Sequence, residues 1–216
     1  MYKQITLFVV VLYAFFGLSI ATLGVDISGQ TDVSSFSCLK SNGYSFAIIS
    51  CWQLQGQPDP NCPKSISNAW AGGMSNVDVY ITPCISCGDG SNQVQTMIKF
   101  IQSYNATFNG MVWFDVGSYA FWSRNQVANE AFFKDMVKGA QVAGVKVGIS
   151  TSTTQWDEIM GGWNGASSFP LWYSDLDDSP SFTDFSPFSG WTTPTIKQYY
   201  SDVTICGLGD VNQNYY

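Results

Sequence analysis

Three aspartates stand at or just after the ends of apolar runs that are typical of buried strands. Asp26 lies in the run GVDIS, Asp115 in MVWFDV, and Asp210 in GDVN after the last predicted strand. A carboxyl group beside a buried strand is costly unless it has a partner or a task. Carboxyl groups can act together as general acid and base when one is protonated and the other ionised. We therefore take Asp26, Asp115 and Asp210 as candidate catalytic residues; the alternative for each is that it caps a turn.

The rest of the composition excludes several kinds of catalytic site and partner. The sequence contains no histidine, which excludes a Ser-His-Asp triad, a Cys-His pair and any zinc site with a histidine ligand. A formal net charge of −7 argues against nucleic acid and anionic membranes as partners. No motif indicates a cofactor or a metal ion. Acid–base chemistry in this chain therefore depends on carboxylates, tyrosines or lysines.

Aromatic side chains near the ends of predicted strands could stack on the flat faces of sugars. The alternative for each ring is that it fills the core or covers the sheet. The candidates for substrate binding are Trp113, Tyr119, Trp122, Trp172 and Tyr173.

Short apolar runs alternate with helical patterns along the first two-thirds of the chain. Apolar residues at i, i+3, i+4 and i+7 predict helices over 94–101 and 133–140, and Gly144 is a natural stop for the second. The predicted strands are Leu23–Ile27, Ser45–Ser50, Val77–Thr82, Met111–Val116, Val145–Ser150, Leu171–Tyr173 and Thr195–Tyr199.

This alternation predicts right-handed βαβ units and a parallel sheet. Gly, Ser, Pro and Asp, rather than helical patterns, separate the later strands. We therefore expect an α/β fold, a TIM-like (β/α) barrel with helices missing in its second half. A doubly wound open sheet is the alternative, but the chain has no GxGxxG turn to support a dinucleotide fold.

The N-terminal segment predicts export. The uncharged apolar run Ile5–Phe16 follows Lys3 and precedes Ser19-Ile20-Ala21, a small-x-small cleavage signal. We expect residues 1–21 to be a signal peptide and 22–216 to be one domain; the alternative is an uncleaved signal anchor. Six cysteines in an exported chain are expected to pair, and fifteen connectivities remain open. The expected product is a secreted monomer, extracellular or in the lumen of a secretory or lysosome-like compartment.

Nine motifs, taken in order, resemble the glycoside hydrolase family 25 lysozymes of the secreted invertebrate and protist branch. They run over essentially the whole of 22–216. The resemblance implies a β/α barrel, bacterial peptidoglycan as the substrate, and cleavage of the β-1,4 bond after N-acetylmuramic acid. The motifs are GVDIS, GYSFAII, ISNAW, DVYITPC, MVWFDV, VGIST, PLWY, FSPFSGWTTP and IKQYY.

The resemblance also implies which residues surround the sugar. The family's acidic residue on the first strand, its Asp-x-Glu and its late Asp-x-Asn correspond to Asp26, Asp115, and Asp210 with Asn212, and Asn212 is a substrate-binding candidate. The Asp-x-Glu motif departs from the family, because Gly117 stands where the glutamate that acts as general acid is expected. Loss of such a proton donor typically costs about 10²–10⁴ in rate.

No other acid is a clear replacement. Glu130 and Glu158, the two glutamates, lie in helical patterns. Asp175, Asp177 and Asp178 follow a predicted strand and could approach the site, but this stretch is also typical of a solvated turn. Two hypotheses result: a lysozyme, active or impaired, in innate defence or digestion, or a non-catalytic glycan-binding or signalling pseudoenzyme.

The sequence generates a testable prediction on export. Because of the apolar run, the cleavage signal and the six cysteines, the secreted protein should begin at Thr22 and contain no free thiols. N-terminal sequencing and thiol counting under native and denaturing conditions check both points. A mature chain that retains Met1, or several free thiols, would contradict the prediction.

Overall fold

The computed structural model describes residues 22–108 and 110–216. The predicted signal peptide therefore lies outside the described residues. In the part of the chain that is described, no helix is long and apolar enough to cross a membrane. The core of the fold is a closed barrel of eight strands. The strands are β1 (Leu23–Ile27), β2 (Tyr44–Ser50), β3 (Trp52–Gln53), β4 (Gln57–Pro58), β5 (Asn76–Ile81), β6 (Met111–Asp115), β7 (Lys146–Thr151), β8 (Leu171–Ser174), β9 (Ile196–Ile205) and β10 (Leu208–Tyr215).

Five α-helices connect the earlier strands, and capping side chains set where most of them begin. Asp32, Asp89, Asn125 and Ser152 each accept a hydrogen bond from a backbone N–H in the first turn of the helix that follows. Gly144 ends the fourth helix in the left-handed conformation at φ 69°, as its position predicts. The helices are α1 (Val33–Ser41), α2 (Cys62–Ala71), α3 (Gly90–Ser103), α4 (Gln126–Ala143) and α5 (Thr153–Met160).

The barrel closes through a strand that the sequence analysis missed. Around the barrel the order is β1-β10-β9-β8-β7-β6-β5-β2, while β3 and β4 form a separate two-stranded sheet. The pairs from β1 through β2, β5, β6, β7 and β8 to β9 are parallel, as predicted. β10 instead runs antiparallel to both β9 and β1. The predicted parallel sheet is therefore interrupted by one antiparallel strand at the seam, the place where β10 joins β9 to β1. No helix of the described residues follows β8 or β9.

Side-chain alternation divides the apolar residues between two layers. Along each strand, successive side chains point to opposite sides of the barrel wall. One set packs under the helices in the main core. The other set forms a separate cluster inside the barrel, in which Trp113 and Trp172 meet edge to face at 5.9 Å. A Cβ at Gly148 would collide with the Trp113 ring, so this glycine makes room for the indole. Large rings thus fill the interior of the barrel and support the side chains that pack above them.

Three disulfides use all six cysteines. Cys38–Cys206 joins α1 to the turn between β9 and β10, across 168 residues of chain. Cys51–Cys62 and Cys84–Cys87 close loops with sequence separations of 11 and 3. The expectation that the cysteines pair is confirmed, and the first disulfide covalently fastens the antiparallel seam to the first helix.

The disulfides predict an unequal effect on stability. Replacing Cys38 and Cys206 with alanine should lower the free energy of unfolding by about 2–5 kcal/mol, because a long cross-linked loop restricts the unfolded chain most. The same change at Cys84 and Cys87 is the matched control and should cost less. Urea denaturation of both double variants measures the difference. Equal losses would contradict an origin in loop length.

Candidate active site

A pocket of about 260 Å³ opens at the carboxyl ends of the parallel strands. Its base is formed by the last inward-facing side chains of the barrel, and the segment after β6 forms one wall. In barrels of this kind the strand ends are where binding and catalytic groups are found. The lining residues are Asp26, Tyr80, Asp115, Gly117, Ser118, Ser150, Thr151, Gln155, Trp172, Ser174, Gln198 and Asn212.

Asp26 is buried and is surrounded by amide side chains. Its Oδ1 accepts hydrogen bonds from Gln198 Nε2 at 2.9 Å and Asn214 Nδ2 at 2.8 Å, and its Oδ2 accepts one from Asn212 Nδ2 at 2.8 Å. Trp172 Nε1 donates to the Asn214 Oδ1 at 2.8 Å and thereby fixes that amide. Burial raises the pKa of Asp26 above its ordinary value, and the three amide hydrogen bonds oppose the rise. Because these groups only donate to the carboxyl group, they favour its ionised form.

Asp115 has different surroundings from Asp26. Its side chain is partly exposed, and Thr82 Oγ1 donates a hydrogen bond of 2.7 Å to its Oδ2. Burial raises the pKa of Asp115 to about 6; the Thr82 hydrogen bond opposes this rise, and the nearby charge of Asp26 adds to it. Asp115 can therefore keep a proton in mildly acidic solution. Two carboxyl groups in such unequal surroundings can divide acid and base roles.

Tyr80 is a lining residue that the sequence analysis did not single out. Burial raises the pKa of its hydroxyl group, and the charges of Asp26 and Asp115 raise it further. The phenol therefore stays neutral and can donate a hydrogen bond to a ligand. Its ring meets Trp172 edge to face at 6.2 Å, which holds it against the filled interior of the barrel.

Asp210 does not line this pocket. It lies in β10 with an exposed side chain and a φ of 53°. The register between β10 and β9 shifts between Leu208 and Val211, and this irregularity surrounds Asp210. Asn212, two residues later, and Asn214 are the side chains of this strand that reach Asp26. The prediction that three aspartates share one pocket is therefore corrected to two, with Asn212 in the place expected for Asp210.

Two of the predicted sugar-binding rings lie inside the barrel. Trp172 lines the pocket, as expected for a binding residue. Trp113 is only 1% exposed and lies deeper, where its Nε1 donates to Asp78 Oδ2 at 3.1 Å. Its position in β6 is two residues before Asp115, so alternation turns both inward but places the indole one layer lower. Trp113 thus supports the pocket without lining it.

The other three predicted rings lie elsewhere. Tyr173 follows Trp172 directly, so it faces the opposite side of the barrel wall, where its hydroxyl group donates to Asp184 at 3.2 Å. Trp122 is buried and packs edge to face against Phe132 of α4. Tyr119 is 41% exposed in a short 3₁₀ turn and does not line the pocket. None of these three rings lines the pocket, and their contact with substrate stays a prediction.

Two of the three amide residues around Asp26 carry no signal in an isolated sequence. Gln198 and Asn214 look like ordinary polar positions of strands, and only the register of β9 and β10 against β1 brings them to the carboxyl group. Tyr80 had a weak signal: it lies two residues after Asp78 on the inward face of β5, at the end of an apolar strand. Alternation from Asp78 could have identified it.

The raised pKa of Asp115 predicts a cost in stability that depends on pH. Between its unfolded value near 3.9 and its folded value near 6, the folded state binds more protons, so stability falls as the pH rises through this range. The asparagine of Asp115→Asn does not titrate. The free energy of unfolding of this variant should therefore rise, relative to that of wild type, by about 1–3 kcal/mol between pH 4 and pH 7. Urea denaturation at several pH values checks this. A difference between the two proteins that is independent of pH would contradict it.

Comparison with known proteins agrees with this architecture. The family model described as Lysozyme-like protein 1 matches residues 18–199. The chain is 48% identical over 209 residues to Probable GH family 25 lysozyme 2 of Dictyostelium discoideum, covering 95% of this chain and 98% of that protein. It is 34% identical over 203 residues to Lysozyme-like protein 5 of Caenorhabditis elegans, covering 92% and 93%. Its fold is similar to that of a family GH25 lysozyme from Aspergillus fumigatus, with a TM-score of 0.70, 20% identity, and coverage of 90% and 93%. The chain belongs to the lysozyme-like proteins of glycoside hydrolase family 25.

Proposed function

We propose that this protein is a secreted lysozyme that cleaves the β-1,4 bond after N-acetylmuramic acid in bacterial peptidoglycan, in innate defence or digestion. The observation that carries the proposal is the pocket at the barrel end, which holds Asp26 and Asp115 in unequal surroundings. Glycosidases need one carboxyl group that is protonated and one that is ionised. The names of the relatives, which describe lysozymes and lysozyme-like proteins, point the same way.

Catalysis is proposed to be impaired rather than absent. Gly117 offers no side chain where a glutamate is expected from the family pattern. Binding depends instead on the shape and hydrogen-bonding groups of the pocket, including Tyr80, Trp172 and Ser174. Loss of a group that acts in the transition state lowers kcat far more than affinity. The expected protein therefore holds peptidoglycan well and cleaves it slowly.

Secretion as a monomer is part of the same proposal. All six cysteines are in disulfides, which form and persist in oxidising compartments.

The proposal of a TIM-like barrel is supported by the order of its connections. Helices connect the earlier parallel strands, and the helix-free connections come late in the chain.

A second function, glycan binding without cleavage, is favoured by Gly117 alone. In that case the pocket is a lectin-like site, and Asp26 and Asp115 contribute only hydrogen bonds to sugar hydroxyl groups. Binding assays cannot separate the two functions, because both predict retention on peptidoglycan. Release of reducing ends separates them.

A paired assay tests the proposed function. Wild type and Asp115→Asn should both be retained on insoluble peptidoglycan, but only wild type should release reducing ends, at a rate about 10²–10⁴ below that of lysozymes that carry the glutamate. Asp157→Asn is the matched control, because Asp157 is an exposed aspartate of α5 outside the pocket, and it should behave as wild type.

Three outcomes decide between the functions. Binding with slow release that depends on Asp115 supports an impaired lysozyme. Binding without any release supports the glycan-binding alternative. Absence of both would mean that peptidoglycan is not the ligand and would overturn the two proposals together.

A further inference from the structure

The two oxygens of the Asp115 carboxyl group have different surroundings. Oδ2 accepts the hydrogen bond from Thr82 Oγ1 at 2.7 Å. Among the described residues, no other side chain donates a hydrogen bond to this carboxyl group. A hydroxyl group that donates to Oδ2 favours placing the carboxylic proton on Oδ1. Thr82 therefore selects which oxygen carries the proton.

The space beside Oδ1 is open because residue 117 is a glycine. A Cβ at this position would collide with Oδ1 of Asp115. Gly117 does not adopt a positive φ, so the backbone itself accepts other residues here. The glycine thus leaves space for Oδ1 in its present position, and any added side chain would make the Asp115 carboxyl group shift. Gly117 and Asp115 line the same pocket.

We propose that Asp115 donates the proton to the glycosidic oxygen from Oδ1, that Thr82 is the positioning residue for its carboxyl group, and that Gly117 keeps the space for Oδ1 open. This inference rests on the proposed function and assigns its missing acid. The glycine at residue 117 and the acid role of Asp115 belong together in this proposal, because an added side chain would displace Oδ1 from its present position.

The chemical step then uses groups that line the pocket. The Oδ1–H bond breaks and its proton passes to the glycosidic oxygen. The C1–O bond breaks with its electron pair remaining on that oxygen, which leaves as a hydroxyl group of the departing sugar. The Asp26 carboxylate stabilises the positive charge that develops at C1. A water molecule adds to C1 and gives a proton back to Asp115, which restores the acid.

Asp26 is unsuited to the acid role. Its three amide donors occupy both oxygens and favour the carboxylate, and its side chain is only 4% exposed. The titratable groups that share the pocket with Asp115 are Asp26 on β1 and Tyr80 on β5. On the other side, β7 and α5 contribute the uncharged Ser150, Thr151 and Gln155. Burial and Asp26 therefore set the protonation of Asp115, and the raised pKa of about 6 agrees with an acid role.

Variants at Thr82 test the positioning role. Thr82→Val removes a hydrogen bond to the ionised carboxyl group, so the pKa of Asp115 should rise and the descending limb of the pH–rate profile should move to higher pH by about half a unit or more. Its kcat should fall more than its binding to peptidoglycan. Thr82→Ser keeps the hydroxyl group and should restore the wild-type profile. Thr96→Val, at a half-buried position of α3 outside the pocket, is the control for loss of a threonine hydroxyl.

Variants at Gly117 test the space requirement. Gly117→Ala should displace the Asp115 carboxyl group and lower the rate of reducing-end release by about 10- to 100-fold. Gly117→Glu should not raise release above wild type, because its Cβ would displace the Asp115 Oδ1 that donates the proton. Gly209→Ala is the matched control, since an added Cβ there meets no atom within 4 Å. Thermal denaturation of each variant verifies that it is folded.

The outcomes separate this inference from the proposed function. Absence of release by wild type would overturn the proposed function and this inference with it. Release by wild type that persists in Asp115→Asn, or that increases in Gly117→Glu, would overturn the inference and leave the function standing. A pH–rate profile that is the same in Thr82→Val and wild type would remove Thr82 from the positioning role, even if Gly117→Ala failed to fold.

Discussion

The carboxyl group of Asp26 is buried at the seam where the barrel closes, and three amide groups hold it there. These amides come from β9 and β10, so the hydrogen bonds join the first strand to the last two. A buried carboxylate without such donors would cost several kcal/mol. The register of the seam and the position of the carboxylate therefore depend on each other. Cys38–Cys206 fixes the same antiparallel hairpin from outside.

This constraint also determines the roles of the other pocket residues. Because Asn214 is bonded to both Asp26 and Trp172, the indole is held in place at the pocket wall. Asp115, on the other side of the barrel, has a single hydrogen-bond donor, so its ionised form is less strongly stabilised. Burial raises the pKa of both carboxyl groups, and three amide donors oppose the rise at Asp26, whereas one hydroxyl donor opposes it at Asp115. Burial of Asp115 thus lowers the stability of the fold, but it gives the pocket a group that can hold and release a proton.

The sequence predicted most of the barrel, and the exceptions have a common cause. Seven of the eight barrel strands, β1, β2 and β5 to β9, were found from apolar runs. Their bounds mostly agree within one or two residues, although β9 continues to Ile205, beyond its predicted end. β10 was missed because amides occupy its inward positions, so it has no apolar run. Asp26 and Asp115 were identified because a carboxyl group in an apolar strand is unusual. Gln198, Asn214 and Tyr80 were not, because their roles arise from register. Tyr173 was expected beside Trp172 in the pocket. It follows Trp172 directly in the sequence, and adjacent residues of a strand face opposite sides of the sheet.

The central claim is that the barrel-end pocket cleaves the bond after N-acetylmuramic acid. The most direct measurement is mass spectrometry of peptidoglycan fragments that are released by the purified protein and reduced with borohydride, which marks the sugar at each new reducing end. The account predicts reduced N-acetylmuramic acid at the new ends. Reduced N-acetylglucosamine at those ends would contradict it, because the bond on the other side of the sugar would then be the one that is cut.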